Sequence, residues 1–251
     1  MRILVTRARD EAKRTVEKLA GLGHRAVVSS VLEMAPTGMQ WPHGVTDAVL
    51  ATSAQAFELG DFAPEWPLPE ARRLLPLFLV GNKTLEAARR CGFVGEAALA
   101  ADAKELAGLV TAKMQAPARL LYLAGRDRKS DLETSCKEAG FDILVVEIYE
   151  ACAAERLSDE AINAMIKGQI DAVLHYSRRS TEIFLALAQA AGVDPIFLHH
   201  MVISAEAAAP LQAAGMLRIA IAAEPNEQAL LALLSDAQPV SSVEWAASRE
   251  L

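Results

Sequence analysis

The chain repeats itself, and a repeat of this length leaves few folds open. Residues 3–34 (ILVTRARDEAKRTVEKLAGLGHRAVVSSVLEM) lie over residues 120–151 (LLYLAGRDRKSDLETSCKEAGFDILVVEIYEA) without a gap. Arg9-Asp10 falls on Arg126-Asp127, Gly23 on Gly140 and Glu33 on Glu150. DAVLATSAQAFEL, from Asp47, matches DAVLHYSRRSTEIF, from Asp171. PLFLVGNKTLEAARRCG matches HHMVISAEAAAPLQAAG, with Gly92 on Gly215. Three matches in the same order in both halves mark a duplicated unit.

Within each copy, short apolar runs alternate with longer amphipathic stretches. Ile3–Thr6 reads as a buried strand, Asp10–Leu22 as a helix closed by Gly23, and Ala26–Ser29 as a second strand. Strands are expected again at Ala48–Ala51, Leu77–Val80, Arg119–Leu123, Ile143–Val146, Ala172–His175 and Met201–Ser204. This strand–helix–strand rhythm calls for right-handed crossovers and parallel sheets, hence an α/β fold. Residues 60–76, rich in proline, read as an exposed insertion, and 235–251 as a loosely held tail.

Bulk properties exclude several classes. The net charge of −7 argues against a nucleic-acid coat or a membrane-surface protein. No stretch approaches ~18 uninterrupted apolar residues, the length a membrane span needs. The beginning, MRILVTRARDEAKR, has no signal-peptide apolar core. Cys91, Cys136 and Cys152 are odd in number and suit a reducing cytoplasm. The five histidines show no metal-ligand spacing. Phosphate-loop, dinucleotide and nucleophile-elbow motifs are absent.

In parallel sheets ligands bind outside the carboxyl ends of the strands. The residues that follow the expected strands here are Thr6-Arg7-Ala8-Arg9, Thr52-Ser53, Gly81-Asn82-Lys83-Thr84, Gly125-Arg126-Asp127-Arg128-Lys129, Tyr176-Ser177-Arg178-Arg179 and Ser204. An acidic chain thus gathers cations and small hydroxyls at one sheet edge, where helix N-termini also offer free N–H groups. That edge suits a large anion with several carboxylates or phosphates. The competing reading is that these Ser and Thr residues simply cap the next helix, a serious rival for Ser53 and Thr84. It explains the arginines less well, since capping does not require them. Tyr149, in VVEIYEA, stands out because its partner in the other copy is Leu32. A packing or hinge role for it stays open.

Together ILVTRARDEAKRTVEKLAGLGH, DAVLATSAQA, LFLVGNKTLEAARRCGF, LLYLAGRDRKSDL, VVEIYEA, DAVLHYSRRSTEIF and ISAEAAAPLQAAGM resemble the uroporphyrinogen-III synthase family, over nearly the whole chain to about residue 234. The ordered set is what makes the match specific; no single motif is sharp. The resemblance implies two similar flavodoxin-like parallel-sheet domains, joined by two crossover strands, with an interdomain cleft. It also implies an exchange in chain order: residues 1–35 plus 152–238 form one domain, 36–151 the other, and 239–251 a C-terminal tail. A naive reading of the repeat would cut once, near residue 117.

The implied activity is a lyase reaction of haem biosynthesis. Hydroxymethylbilane, a linear tetrapyrrole with eight carboxylates, loses water and closes with inversion of ring D to give uroporphyrinogen III. No metal or organic cofactor is implied, and a monomeric cytoplasmic enzyme is expected. Tyr149 matches the family's crossover tyrosine, for which a role in hydroxyl departure is proposed; a phenol is protonated at neutral pH and can donate. Thr84 matches a threonine facing the cleft. Ser53 and Ser177 match hydroxyl residues after their strands. Arg7, Arg126 and Lys129 are carboxylate partners by position, and Thr52, Gly81, Gly125 and Ser204 complete the candidate substrate contacts. Ala8 and Arg178 stand where the family often has proline, and Ser204 and Ala207 where it usually has Gly and Thr. The alternative is a non-enzymatic two-domain binding or sensor protein for an anionic ligand.

Overall fold

The apolar run after Met1 forms β1 (Arg2–Val5), whose Ile3, Leu4 and Val5 are completely buried. In the computed structural model, which describes residues 1–38, 42, 44–60 and 69–237, the chain continues through α1 (Arg9–Gly21), β2 (Arg25–Val28), β3 (Leu32–Pro36) and β4 (Ala48–Ala51). Next come α2 (Gln55–Glu58), α3 (Pro69–Leu74), β5 (Leu77–Val80), α4 (Asn82–Arg90), β6 (Ala97–Ala100), α5 (Ala103–Lys113), β7 (Arg119–Gly125), α6 (Asp131–Glu138) and β8 (Asp142–Ala153). The remainder is α7 (Asp159–Ile166), β9 (Ala172–His175), α8 (Arg178–Ala190), β10 (His199–Val202), α9 (Ala205–Ala213), β11 (Ile219–Ile221) and α10 (Glu227–Ala232). Most of the expected tail, and residues 61–68 of the proline-rich insertion, lie outside the described residues.

Contacts divide the chain into two units, residues 1–33 with those from 152 onward, and residues 34–151. The first unit holds a sheet in the order β2–β1–β9–β10–β11, with every pair parallel. Counted in chain order within the unit this is 2-1-3-4-5, the flavodoxin order. The second holds β3–β8–β7–β4–β5–β6. The same order appears there once β7 and β8 take the places of β1 and β2. The strand–helix–strand piece that opens the first unit therefore closes the second.

The repeat is visible bond by bond. Asp171 accepts from the Arg2 N–H at 2.7 Å, and Asp47 from the Arg119 N–H at 2.7 Å. In return, the Asp171 and Asp47 N–H groups donate to the carbonyls of Arg2 and Arg119, each at 2.9 Å. α1 and α6 end alike. Gly23 and Gly140 take φ of +77° and +87°, and His24 and Phe141 donate back to Leu19 and Cys136. A left-handed residue followed by this long back-bond is how many helices close, and it selects glycine.

Both faces of each sheet are covered, as parallel strands require; only the edge strand β3 departs, its flanks bonding to β8 in the antiparallel sense (Ala154 N–H to the Val31 carbonyl, Thr37 N–H to the Ile148 carbonyl). In the second unit Leu50, Leu120 and Tyr122 face one core, and Val49, Leu79, Leu121 and Phe57 the other. In the first unit Leu4, Val173 and Phe184 face one, and Ile3, Val5, Leu174 and Met201 the other. Burying one such Leu or Ile contributes about 1.5–3 kcal/mol relative to leaving it in water.

Three strands lie beyond those expected from the apolar runs: β3, β6 and β11. The last two are short, partly exposed and at sheet edges, so they carry little hydrophobic signal. β8 runs on to Ala153, because Glu147 and Glu150 interrupt its apolar run without interrupting its backbone.

Candidate active site

In sheets of this order the crevice opens where the strand order reverses. In the second unit that point lies between β4 and β7. Thr52 and Ser53 follow β4. Gly125, expected in the loop after β7, is instead its last residue, and Arg126 follows it. The Thr52 hydroxyl lies 3.1 Å from the phenol oxygen of Tyr122, a side chain that the sequence places only within a buried strand. Burial is the main force pushing the Tyr122 phenol upward; the Thr52 hydrogen bond and Arg128 pull it back. Tyr149, on β8, stands opposite Gly125, and its carbonyl accepts from the Arg126 N–H at 2.8 Å.

The arginines at this edge do not stand alone. Arg126 pairs with Glu147 at 3.1 Å and with Glu150. Arg128 pairs with Glu133 at 2.6 Å and Glu147 at 3.0 Å, and donates to the Gly125 carbonyl at 3.0 Å. Hydrogen bonds from Arg128 and then Arg126 hold the Glu147 carboxyl below its ordinary range. Together with Thr37 and Val145, Arg126, Arg128 and Glu147 line an open hollow of about 330 Å³. Lys129 is exposed and makes no ion pair among the described residues.

Each candidate hydroxyl has a distinct remaining capacity. Thr84, 3 % exposed, donates to the Val80 carbonyl at 2.7 Å, which leaves only lone pairs to offer a ligand. Ser53 accepts from the Gln55 N–H, and Ser204 from the Ala207 N–H, so both keep an O–H to donate. Ser177 accepts from the Ser180 N–H at 3.1 Å and donates to the Ser180 hydroxyl at 2.9 Å, which occupies it in both senses. Capping therefore accounts for Ser177 and Ser204 as N-caps of α8 and α9. Gly81, at φ +78°, starts α4 without a side-chain cap.

In the first unit the order reverses between β1 and β9. Arg7 follows β1 and lies over the Tyr176 ring, 4.1 Å from its centre. It pairs with Glu11 at 3.0 Å and with Glu227 at 2.9 Å. Glu227 also accepts from Thr15 at 2.6 Å and from the Tyr176 phenol at 3.2 Å, and pairs with Lys18. Burial pushes the Tyr176 phenol up to about 12. Burial works to raise Glu227, but Lys18, Thr15 and Arg7 outweigh it and hold the carboxyl down at about 2. Arg7 is thus tied into an internal network, and Tyr176 and Glu227 join the site edge although the sequence alone gives neither a role. Tyr176 could have been found by its place beside Ser177; Glu227 lies in a segment that the repeat does not reach.

No group of three or more His, Cys, Asp or Glu side chains is placed to hold a metal ion among the described residues. No described helix is long and apolar enough to cross a membrane.

A profile of the family described as uroporphyrinogen-III synthase HemD matches residues 13–232. The chain belongs to the uroporphyrinogen-III synthase family. The crystal structure of uroporphyrinogen-III synthetase from Helicobacter pylori 26695 is similar, with a TM-score of 0.53 at 18% identity, over 94% of this chain and 99% of that one. A mutant uroporphyrinogen III synthase from Thermus thermophilus aligns over 94% of this chain and 97% of that one, with a TM-score of 0.46 at 17% identity. No curated protein sequence matches. The first of these structures supports the two-unit α/β fold; at this identity the uroporphyrinogen-III synthase assignment rests on the family profile.

Proposed function

We propose that this chain converts hydroxymethylbilane to uroporphyrinogen III, acting as a hydro-lyase that closes the ring as it inverts ring D. The observation that carries the reading is the family match across residues 13–232. The reaction needs geometry more than a nucleophile. The substrate loses hydroxide to give a conjugated cation, its terminal pyrrole attacks at a substituted carbon, and the resulting spiro centre reopens and recloses inverted. Unassisted closure omits the inversion, so an enzyme must hold the terminal ring in the less accessible orientation.

In this reading Tyr149 donates its phenol proton to the departing hydroxyl. Thr52, Ser53 and Ser204 donate to substrate carboxylates, and Thr84 accepts from a pyrrole N–H. Free N–H groups at the start of α4, beyond Gly81, add to the anion site. Arg126 and Lys129 supply positive charge, Arg126 by exchanging a protein carboxylate for one from the substrate. Arg7 and Ser177 act at one remove, through the network and the cap that hold them. Gly125 completes the edge. The reading requires no cofactor, and takes the protein as a cytoplasmic monomer. The test is incubation of the purified chain with freshly made hydroxymethylbilane. Type III product is expected, and exclusive type I product overturns the proposal.

A further inference from the structure

Side chains on β8 should alternate between the two faces of its sheet. Up to Ile148 they do: Ile143 and Val145 pack into one core, and Leu144, Val146 and Ile148 into the other. Tyr149 should then return to the first. It packs instead against the same core as Ile148. The register explains this. Ala124 stands opposite Glu147, but Gly125 stands opposite Tyr149, with the irregularity between Ala124 and Gly125. One residue of β8 is extra, and such a bulge re-aims the side chain that follows it. The Arg126 N–H, donating to the Tyr149 carbonyl at 2.8 Å, closes the ladder just beyond the shift.

Re-aimed in this way, the Tyr149 ring lies over the backbone of Gly125. A Cβ at Gly125 would meet Tyr149 Cε2 at 2.7 Å, Cζ at 2.9 Å and the phenol oxygen at 3.2 Å. All three atoms belong to the far end of one side chain, so the cheapest relief is for the ring to move. Gly125 needs no positive φ here, so the demand is for space and not for backbone freedom.

We infer that Gly125 is a positioning residue: its missing side chain, with the adjoining bulge, fixes where the Tyr149 phenol sits. This rests on the proposed role of Tyr149 for its kinetic consequence, but not for its structural one.

The test is Gly125→Ala alone and in two Tyr149 backgrounds. With hydroxymethylbilane, Gly125→Ala should lower kcat by about a hundredfold while leaving KM within about twofold, as expected for a catalytic group displaced by ~1 Å. In the Tyr149→Phe background the same change should cost less than about threefold, because the group it displaces is already gone. Where Tyr149→Phe is itself impaired, equal losses in both backgrounds, or full activity of Gly125→Ala, would overturn the inference. A measurement independent of turnover separates it from the catalytic role of Tyr149. The chain has three tyrosines, so fluorotyrosine labelling gives three assignable resonances. Gly125→Ala should move that of Tyr149 and leave that of Tyr176, in the other unit, in place; an unmoved Tyr149 resonance contradicts the inference whatever the activity. If that resonance moves while Tyr149→Phe keeps full turnover, the positioning stands and the catalytic role falls. Should Gly125→Ala fail to fold, Gly125→Ala/Tyr149→Leu should melt within about 2 °C of Tyr149→Leu. Failure of that pair to fold would show that the ring is not what Gly125 accommodates.

Discussion

Glu227 accepts from a guanidinium, two hydroxyls and an ammonium, and so joins four places in the first unit: the turn after β1, two positions on α1, and the end of β9. Its depressed carboxyl makes a stability statement with a definite sign. The folded form favours the carboxylate, so the contribution is present above about 4.5 and is lost as pH falls toward 2. Glu227→Gln should cost about 1–3 kcal/mol in urea unfolding at pH 7. The difference from the unsubstituted chain should shrink across that acid window, and an unchanged midpoint at pH 7 would contradict the network. Tyr149 makes a kinetic prediction instead. Tyr149→Phe should reduce turnover by about a hundredfold or more, the scale of a general acid, with little change in melting temperature. Unchanged turnover would remove it from the mechanism.

At the scale of elements, β9 and β10 bury a histidine pair. His200 Nε2 lies 3.1 Å from the Pro195 carbonyl and therefore carries a proton. Its Nδ1 then accepts from His175 Nε2 at 3.0 Å. His175 Nδ1 is left as a buried acceptor without a hydrogen-bond partner among the described residues. Burial, followed by the neighbouring imidazole, drives His175 well below its ordinary value, and burial brings His200 down to about 4. Both groups are neutral in the folded chain, whereas an unfolded histidine charges near ~6.5. Stability should therefore fall as pH drops from about 6.5, before the Glu227 contribution begins to be lost near 4.5. Urea unfolding midpoints at pH 7.5, 5.5 and 4.5 check this; a flat profile over that range would contradict the neutral pair.

The elements also show what the sequence could and could not reveal. Buried strands such as β4 and β9 are legible because a parallel sheet covered on both faces demands an unbroken apolar run. The glycine closures of α1 and α6 are legible because a left-handed turn selects glycine. β6 and β11 are not, since a sheet edge makes neither demand. Within the site, the residues following the strands could be named but their engagement could not. Whether Ser177 keeps a free O–H depends on which way the Ser180 hydroxyl turns, and whether Arg7 keeps a free face depends on Glu227, distant in sequence. The direction of Tyr149 is hidden for a sharper reason: strict alternation points it to the wrong face, and only the bulge corrects it.

For the whole molecule, the duplication fixes two sheets of the same strand order but not which pieces build them. The matching strand–helix–strand pieces stand at opposite ends of their units, so the chain leaves the first unit within β3 and returns to it within β8. The copies differ at the edge proposed to hold the substrate. Tyr149 has no twin, and Tyr176, in the position of Thr52, joins the network of Arg7, Thr15 and Glu227, whereas the ion network of the second unit is built on Arg126, Arg128 and Glu147. The central claim is that this build inverts one pyrrole ring of a linear tetrapyrrole. The most direct measurement is the isomer composition of the cyclised product, oxidised and separated, with and without the protein. The type III isomer should dominate with the protein, and type I without it. Type I alone in both would contradict the claim.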